Sequence, residues 1–163
     1  AVRLVEVEAY CGTDDPGSHA HRGPTPRTEV MFGPAGHLYV YLSYGMHWCA
    51  NVVCGTEGEA GAVLLRAGAP VEGIDAIRAA RPAARRDRDL TSGPARLCQA
   101  LGIDGGHGGL DLIAADSCVT LVDDGFGPPV TPATSPRIGL TKGADLPWRW
   151  YLPGHPDVSG RPR

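Results

Sequence analysis

Two carboxylates and a tyrosine interrupt the apolar stretch VEVEAY, close to the start of the chain. From Val5 onward, apolar and polar residues alternate, so Glu6, Glu8 and Tyr10 share one face of a predicted strand. If that face lines a pocket, these side chains are available to a ligand. A strand face that meets solvent is the alternative, and one strand alone does not distinguish the two.

Five further side chains occupy unusual places for their type. They lie in a long loop, on a predicted hairpin and its return strand, and inside an apolar strand: His19, Tyr41, Tyr44, Asn51 and Arg66. Each has a structural explanation, because tyrosines fill cores and a buried arginine can neutralise a carboxylate such as Glu6. Together they are consistent with an aromatic pocket that has a carboxylate at its floor.

The segment HWCANVVC could hold a metal, since it contains His47, Cys49 and Cys54. Strand alternation places His47 and Cys49 on one face and Cys54 on the other, so a packed core strand is favoured. The signatures of zinc deaminases and of the Gly-x-Ser-x-Gly nucleophile are absent from the sequence. No glycine-rich phosphate loop follows a strand, so nucleotide cofactors are not indicated.

Composition predicts a single domain, residues 1–163, with many turns. A hydrophobic content of 42% supports a core, while 23 glycines and 15 prolines disfavour a helical bundle. Five cysteines, odd in number and set in apolar segments, favour a reducing cytosol over a disulfide framework. No apolar run approaches the roughly 18 to 20 residues of a membrane helix. Because the chain starts without Met inside a predicted strand, we expect part of the natural N-terminus to be missing.

The net charge of -3 has the wrong sign for a protein that simply coats nucleic acid. Several arginines do cluster between residues 78 and 88, but Asp87 and Asp89 partly cancel their charge. A solvated linker is the favoured interpretation of this stretch.

The predicted strands are adjacent in sequence and joined mostly by short turns. Residues 37–54 predict a hairpin with Tyr44 and Gly45 at its turn, and AVLLRAGAP predicts a buried strand. CVTLV, PRIGLT and WRWYL predict short strands in the C-terminal third. This pattern favours an α+β domain built around a curved antiparallel sheet.

Two short helices and a long loop complete the prediction. Pro70 suits the first turn of a helix with Val71, Ile74 and Ile77 on one side. TSGPARLCQALG predicts a second helix, with Ser92 as its cap, Pro94 near its start and Gly102 at its end. The turn-forming residues 12–28 predict a long loop of the kind that is often functional.

Six segments together resemble the alkyladenine, or 3-methylpurine, DNA glycosylase family. They are VEVEAY, PRTEVMFGPAGHLYVYLSYGMHWCANVV, VLLRA, SGPARLCQALGI, PRIGLTKG and PWRWYLPGHPDVS, in the family's order from about Arg3 to Ser159. The resemblance implies a metal-free, cofactor-free, monofunctional DNA repair glycosylase that begins base-excision repair. Its expected substrates are 3-methyladenine and 7-methylguanine, with ethenoadenine and hypoxanthine as further candidates.

The same resemblance assigns roles in the reaction. Glu8 would be the general base that activates water to attack C1′ of the damaged nucleotide, and Arg66 would hold Glu8 and that water. The only lysine, Lys142, falls on none of the positions to which the resemblance gives a role, so a Schiff-base lyase step is not expected. The family usually has Asn after TPR, where this chain has Thr28.

The remaining roles concern recognition of the damaged base. Tyr10, His19 and Tyr41 would form the pocket, where aromatic faces attract a cationic alkylated purine. Asn51 would screen the substituents of the purine. Tyr44 would enter the duplex where the nucleotide has been flipped out.

The expected partner is double-stranded DNA with alkylated or deaminated purines, bound by a monomer in the cytoplasm and associated with the nucleoid. Two other functional classes stay open at this point. One is a catalytically inactive module that binds lesions in the same pocket. The other is a zinc-dependent hydrolase or deaminase that uses His47 and the cysteines.

Overall fold

Six strands form one antiparallel sheet in the computed structural model, which describes residues 1–127 and 130–160. The strands are β1 (Val2–Tyr10), β2 (Leu38–Ser43), β3 (His47–Val53), β4 (Ala62–Pro70), β5 (Ala133–Ser135) and β6 (Arg149–Tyr151). Their order in the sheet is β2-β3-β4-β1-β6-β5, so β1 runs through the middle between β4 and β6. The predicted α+β class is confirmed.

Two α-helices lie among the described residues, α1 (Ile74–Ala80) and α2 (Pro94–Leu101). Short 3-10 turns occupy much of the remaining chain, at Gly12–Asp14, His19–Arg22, Glu29–Phe32, Asp87–Asp89 and Gly105–His107. The long loop predicted for residues 12–28 therefore carries two such turns. Within the described residues, none of the helices has the length and apolar character needed to cross a membrane.

The predicted hairpin is confirmed as β2 and β3. Met46 N–H donates to Ser43 O at 3.1 Å, and the two residues between them have positive φ, 51° at Tyr44 and 68° at Gly45. Among the described residues, Tyr44 is the only non-glycine with a left-handed backbone. Such conformations are uncommon for a bulky side chain and concentrate at functional sites.

The carboxylates of β1 do not face solvent. Glu6 and Glu8 are 1% and 0% exposed, although the register between β1 and β4 shifts on either side of Glu6. In that register Glu8 pairs with Leu64 and Tyr10 with Ala62. The alternative of a solvated strand face is therefore excluded, and the burial of two charges requires cationic partners.

Two apolar clusters flank this sheet. One packs α2 against the hairpin strands and includes Leu38, Ala50, Cys98, Ile103 and Leu112. The other lies beneath the loop of residues 12–32 and includes Ala20, Met31, Tyr39, Val53 and Ala62. Full burial of a large apolar side chain stabilises a fold by about 1.5–3 kcal/mol. The first cluster therefore fixes α2, and the second fixes the loop, against the sheet.

The start of α1 and the N-cap of α2 differ from the prediction, whereas α2 begins at Pro94 as expected. Pro70 ends β4, opposite Val2, and α1 starts only after Gly73, leaving Val71 and Ile74 exposed. Gly93 rather than Ser92 is the N-cap of α2, because Ser92 forms an isolated bridge with Ala67 of β4. The end of α2 at Gly102, in the left-handed conformation, is confirmed.

Two of the three predicted C-terminal strands are wrong. The segment CVTLV forms no strand, although Leu121 N–H donates to Leu112 O. PRIGLT forms none either, because the N–H of Ile138 and the guanidinium of Arg137 bond to side chains of the N-terminal segment. The third prediction is confirmed, since WRWYL contains β6.

Candidate active site

Glu8 lies at the centre of a fixed set of donors. Its Oε1 accepts from the N–H of Ile138 at 2.7 Å and lies 3.2 Å from Nη1 of Arg66, while its Oε2 accepts from the hydroxyl of Tyr10 at 3.0 Å. The donors come from β1, β4 and the segment after β5, so the sheet itself orients the carboxylate. Hydrogen bonds to an ionised acceptor are among the stronger ones in proteins.

Glu6 belongs to a second buried charge cluster behind Glu8. Its Oε1 accepts from Nε of Arg66 at 2.8 Å, from Nε of Arg149 at 2.7 Å and from the hydroxyl of Ser159 at 2.9 Å. Its Oε2 accepts from the N–H of Ser159 at 2.5 Å. Two arginines thus balance the two carboxylates, Glu6 and Glu8, and no net charge is left in this part of the core.

The prediction that Arg66 contacts the carboxylates is supported by this geometry, and the arginine bridges both. Burial lowers the pKa of Arg66, but Glu8 and Glu6 outweigh that effect and hold the pKa above its usual value. Arg66 is therefore a fixed cation at every accessible pH. Its Nη2 also donates to the hydroxyl of Ser159 at 3.1 Å, which restricts its position further.

Beside this charged core lies a cavity of about 60 Å³ with aromatic walls. Four of the predicted pocket residues line it together with five others that sequence reasoning did not single out for it: Tyr10, His19, Tyr41 and Asn51 with Gly17, Ser18, Met31, Tyr39 and Leu140. Glu8 is not among the lining residues, but its Oε2 accepts a hydrogen bond from the hydroxyl of Tyr10, which is one of them. The cavity therefore has aromatic walls, and the carboxylate of Glu8 lies on the far side of the wall that Tyr10 forms.

The aromatic rings of the cavity hold each other in place. Nδ1 of His19 lies 3.0 Å from the hydroxyl of Tyr39, and the His19 ring meets Tyr41 edge to face with centroids 4.6 Å apart. Tyr39 and Tyr41 are stacked at 5.8 Å. Aromatic contacts of this kind add to the stabilisation given by burial and make the wall rigid.

The titratable groups of the wall are held in their uncharged forms. Burial and, second, the neighbouring Glu8 raise the pKa of Tyr10 well above its usual value. Burial is also the main cause of the raised pKa of Tyr41. Burial of its inner edge and the adjacent Arg27 cation lower the pKa of His19, although part of this side chain is exposed at the mouth. Burial likewise raises the pKa of Tyr39, so at neutral pH the wall presents three phenols and a neutral imidazole.

Asn51 lies on β3 with its side-chain amide anchored. Its Nδ2 donates to the backbone oxygen of Tyr39 at 3.1 Å, and the residue is 4% exposed. The anchored nitrogen leaves the side-chain oxygen as the free acceptor of this amide. A rigid polar group in an aromatic wall can distinguish ligands by the substituents that they carry.

Tyr44 is not part of the cavity. It lies at the turn between β2 and β3 and is 87% exposed, with Met46 beside it at 70%. Tyr41 lies on β2, the strand that leads into this turn. The hairpin therefore connects the cavity wall to an exposed aromatic tip. The sequence singled out Tyr44 correctly as a tip residue.

Several residues that hold the site together were missed. Arg149, Ser159, Arg137 and Asp15 form buried polar contacts with or near the carboxylates of β1. Arg27 lies at the mouth of the cavity, with its guanidinium carbon 5.6 Å from the Tyr41 ring centroid. The charged residues in otherwise apolar segments, as in PWRWYL, were the available signal, but their partners are far away in sequence.

The proposed metal ligands do not come together. Within residues 1–127 and 130–160, no three His, Cys, Asp or Glu side chains form a group that could hold a metal ion. Cys49 is buried, whereas His47 and Cys54 are exposed. A larger and mostly apolar groove of about 210 Å³ lies over the start of β1, but it is lined by none of the predicted pocket residues.

Comparison with known proteins shows the family of this chain. Residues 1–156 match the family model of methylpurine-DNA glycosylase. A protein from Burkholderia lata is 58% identical over 160 residues, which are 98% of this chain and 77% of that protein; its name is "Putative 3-methyladenine DNA glycosylase". Proteins of the same name from Nocardia farcinica and Streptomyces avermitilis are 52% and 49% identical, over 98% and 97% of this chain and 77% and 75% of their own lengths. The chain belongs to the methylpurine-DNA glycosylase family.

Proposed function

We propose that this chain is a DNA glycosylase that removes alkylated purines from duplex DNA, with 3-methyladenine as one substrate. The observation that carries the proposal is the placement of Glu8, a fully buried carboxylate held by Arg66, Ile138 and Tyr10 behind an aromatic cavity. The names of the relatives support the choice of lesion.

In the proposed reaction, water attacks C1′ of the damaged nucleotide while the bond from C1′ to the purine nitrogen breaks. The bonding electrons leave with the base, and Glu8 accepts the proton of the attacking water. Because glycosidic cleavage passes through an oxocarbenium-like state, the same carboxylate also stabilises the positive charge that develops on the sugar. Arg66 holds Glu8 in place and keeps it paired without taking part in the bond changes.

The cavity is suited to a base that carries a positive charge. Alkylation at N3 or N7 makes a purine cationic, and the faces of Tyr10 and Tyr41 attract such a cation. His19 is kept neutral by burial and by Arg27, so it does not repel the charged base. The charge also makes the base a better leaving group, which reduces the need for a general acid.

Tyr44 is proposed to occupy the gap that the flipped nucleotide leaves in the duplex. Extrusion of a nucleotide costs a few kcal/mol of stacking and pairing, and a planar side chain in the gap offsets part of that cost. The exposed tip and the strained backbone of Tyr44 fit this role. Backbone amides at the glycine-rich turns would contact phosphates, which makes the overall net charge of -3 tolerable.

The remaining expectations follow from the same proposal. Residues 1–163 would act as one glycosylase domain, as a monomer in the cytoplasm close to the nucleoid. Excision would be monofunctional, since Lys142, the only lysine of the sequence, is outside the set of residues that line the cavity.

One observation favours a second candidate, a module that binds lesions without excising them. Both oxygens of Glu8 already accept hydrogen bonds, and the side chain is fully buried. Such a carboxylate can contact an attacking water only if the Tyr10 hydroxyl moves away from it, or if the mouth of the cavity opens, when the base enters.

The experiment that separates these candidates is single-turnover base release from duplexes with one 7-methylguanine, ethenoadenine or hypoxanthine, in EDTA. Release by the parent chain and not by Glu8→Gln, with lesion binding retained in both, would support the proposal. Binding without release by the parent would favour the lesion-binding module. Release that EDTA abolishes and zinc restores would favour a metal-dependent hydrolase.

A further inference from the structure

A second buried ion pair lies next to the cavity and has no part in the proposed function so far. Arg137 and Asp15 are both fully buried, and the two Nη atoms donate to the two carboxylate oxygens at 2.5 and 2.8 Å. Asp15 also accepts from the N–H groups of Gly17 and Cys11. Burial raises the pKa of Asp15, but its bonds to Arg137 and Gly17 outweigh burial and hold the pKa below its usual value.

The guanidinium of Arg137 joins four parts of the chain. Besides Asp15, it donates to the backbone oxygens of Ala9 on β1 and Gly143, at 2.9 and 3.2 Å. Its carbon lies 4.6 Å from the ring centroid of Tyr10 and 5.1 Å from that of Trp148. Only a planar, forked cation can make a two-point contact with a carboxylate while its face packs on aromatic rings.

This ion pair is adjacent to two of the three groups that hold Glu8. Ile138, the residue after Arg137, gives its N–H to Oε1 of Glu8, and Tyr10, whose ring Arg137 covers, gives its hydroxyl to Oε2. Asp15 fixes the start of the loop that leads to His19, because Gly17 N–H donates to its side chain and Ser18 N–H to its backbone oxygen. The pair therefore supports two groups that donate to Glu8, and also the loop that carries His19 of the cavity wall.

We infer that Asp15 and Arg137 are positioning residues for base excision, acting through Glu8 and Tyr10 without touching the substrate. The inference rests on the proposed function. Because a misplacement of a reacting group by about 1 Å can cost about a hundredfold in rate, the pair acts on the chemical step more than on lesion capture.

The test compares single-turnover release of 7-methylguanine by the parent chain and by Arg137→Lys, which keeps the charge and loses the fork. We expect the rate constant to fall by about 10-fold to 100-fold, with the full amplitude of release and an unchanged dissociation constant for lesion DNA. Arg3→Lys is the matched control, since Arg3 also pairs with an aspartate, Asp124, and packs on an aromatic ring, but on the exposed start of β1. Its rate constant should equal that of the parent.

Amplitude and rate constant separate positioning from a merely structural role. With enzyme and duplex at equal concentrations well above the dissociation constant, a loss of folded protein lowers the amplitude and leaves the rate constant of the remaining molecules unchanged. If Arg137→Lys does not fold, the double variant Asp15→Asn with Arg137→Gln replaces both charges by neutral groups and leaves neither charge unpaired. The same loss of rate constant is expected from it.

A parent-like rate constant in the folded variant, or a loss confined to amplitude, would overturn the inference while the proposed function stands. No release by the parent chain itself would overturn the proposed function and this inference with it. A reduced rate constant at full amplitude would establish the positioning role.

Discussion

The Nη1 atom of Arg66 lies 3.2 Å from Oε1 of Glu8, while the Nε atom of the same guanidinium donates to Glu6 at 2.8 Å. One arginine thus connects the carboxylate proposed to react with a carboxylate that only supports it. Both acidic side chains are fully buried, so the arginine neutralises charge that water cannot reach. This arrangement makes separate predictions for the two carboxylates and for the arginine.

Replacement of Arg66 by Met should lower both stability and excision. The change leaves Glu8 without a cationic partner and Glu6 with only Arg149, and loss of one partner from a buried ion pair typically costs about 3–5 kcal/mol. Urea unfolding measures the loss of stability, and single-turnover release at a temperature where the variant is folded measures the rate.

Arg78→Met is the control for Arg66→Met, because Arg78 pairs with Asp75 and Asp87 on the exposed surface. Exposed ion pairs contribute little to stability, so the control should unfold close to the parent midpoint. A free energy of unfolding for Arg66→Met within about 1 kcal/mol of the parent would contradict the view that Arg66 balances two buried carboxylates.

Glu6→Gln should destabilise the protein more than it slows chemistry. The neutral amide keeps the shape of the side chain but leaves Arg66 and Arg149 in excess over Glu8 in a buried cluster, at a cost of several kcal/mol. Folded Glu6→Gln should retain most of the parent rate, whereas Glu8→Gln should lose about a hundredfold or more. Equal losses of rate in the two variants would argue that Glu6 shares the catalytic role.

The hairpin and β4 could be predicted from sequence because their signals are local. Alternation from Leu38, the tyrosine and glycine at the turn, and the apolar run around Arg66 all lie within a few residues of the element that they specify. The burial of Tyr10 and Tyr41 beside one cavity followed from the resemblance to a family. The local sequence patterns did not predict that these two rings lie close together.

The partners of Glu6 could not be predicted in this way. Arg149 and Ser159 lie 143 and 153 residues further along the chain, so only the folded sheet brings them to the carboxylate. CVTLV has the composition of a strand and forms none, because strand propensity expresses packing against neighbours more than a backbone preference. The strand predicted for PRIGLT is wrong for a related reason, because the N–H of Ile138 donates to the side chain of Glu8 and not to a neighbouring strand.

Tyr44→Ser should weaken capture of lesion DNA without loss of stability. Tyr44 is 87% exposed and has a strained backbone, so its ring contributes little to the fold. Because the ring is proposed to fill the gap left by the flipped nucleotide, the dissociation constant for lesion DNA should rise about tenfold or more, by loss of one stacking contact. Val122→Ser, at another exposed apolar side chain, is the control. An unchanged affinity in Tyr44→Ser would contradict the role as a wedge.

His19 should give the protein a pH-dependent stability of predictable sign. Burial and the Arg27 cation lower the pKa of His19 in the folded state, while the unfolded chain has the ordinary value of about 6.5. As the pH falls below that value, the unfolded state takes up a proton before the folded state does, so stability is lost on acidification. The contribution is fully present above pH about 7 and declines as the pH approaches the folded-state value.

The measurement is urea unfolding of the parent chain and His19→Gln at several values between pH 8 and pH 5. Groups common to both proteins cancel in the difference, which therefore isolates His19. The parent should lose more stability than His19→Gln on acidification, and the NMR titration of His19 should have its midpoint below that of an unfolded histidine peptide. Parallel stability curves, or a midpoint above the peptide value, would show that the imidazole becomes charged readily. A charged wall would repel a cationic purine, so that result would also count against the proposed recognition of alkylated bases.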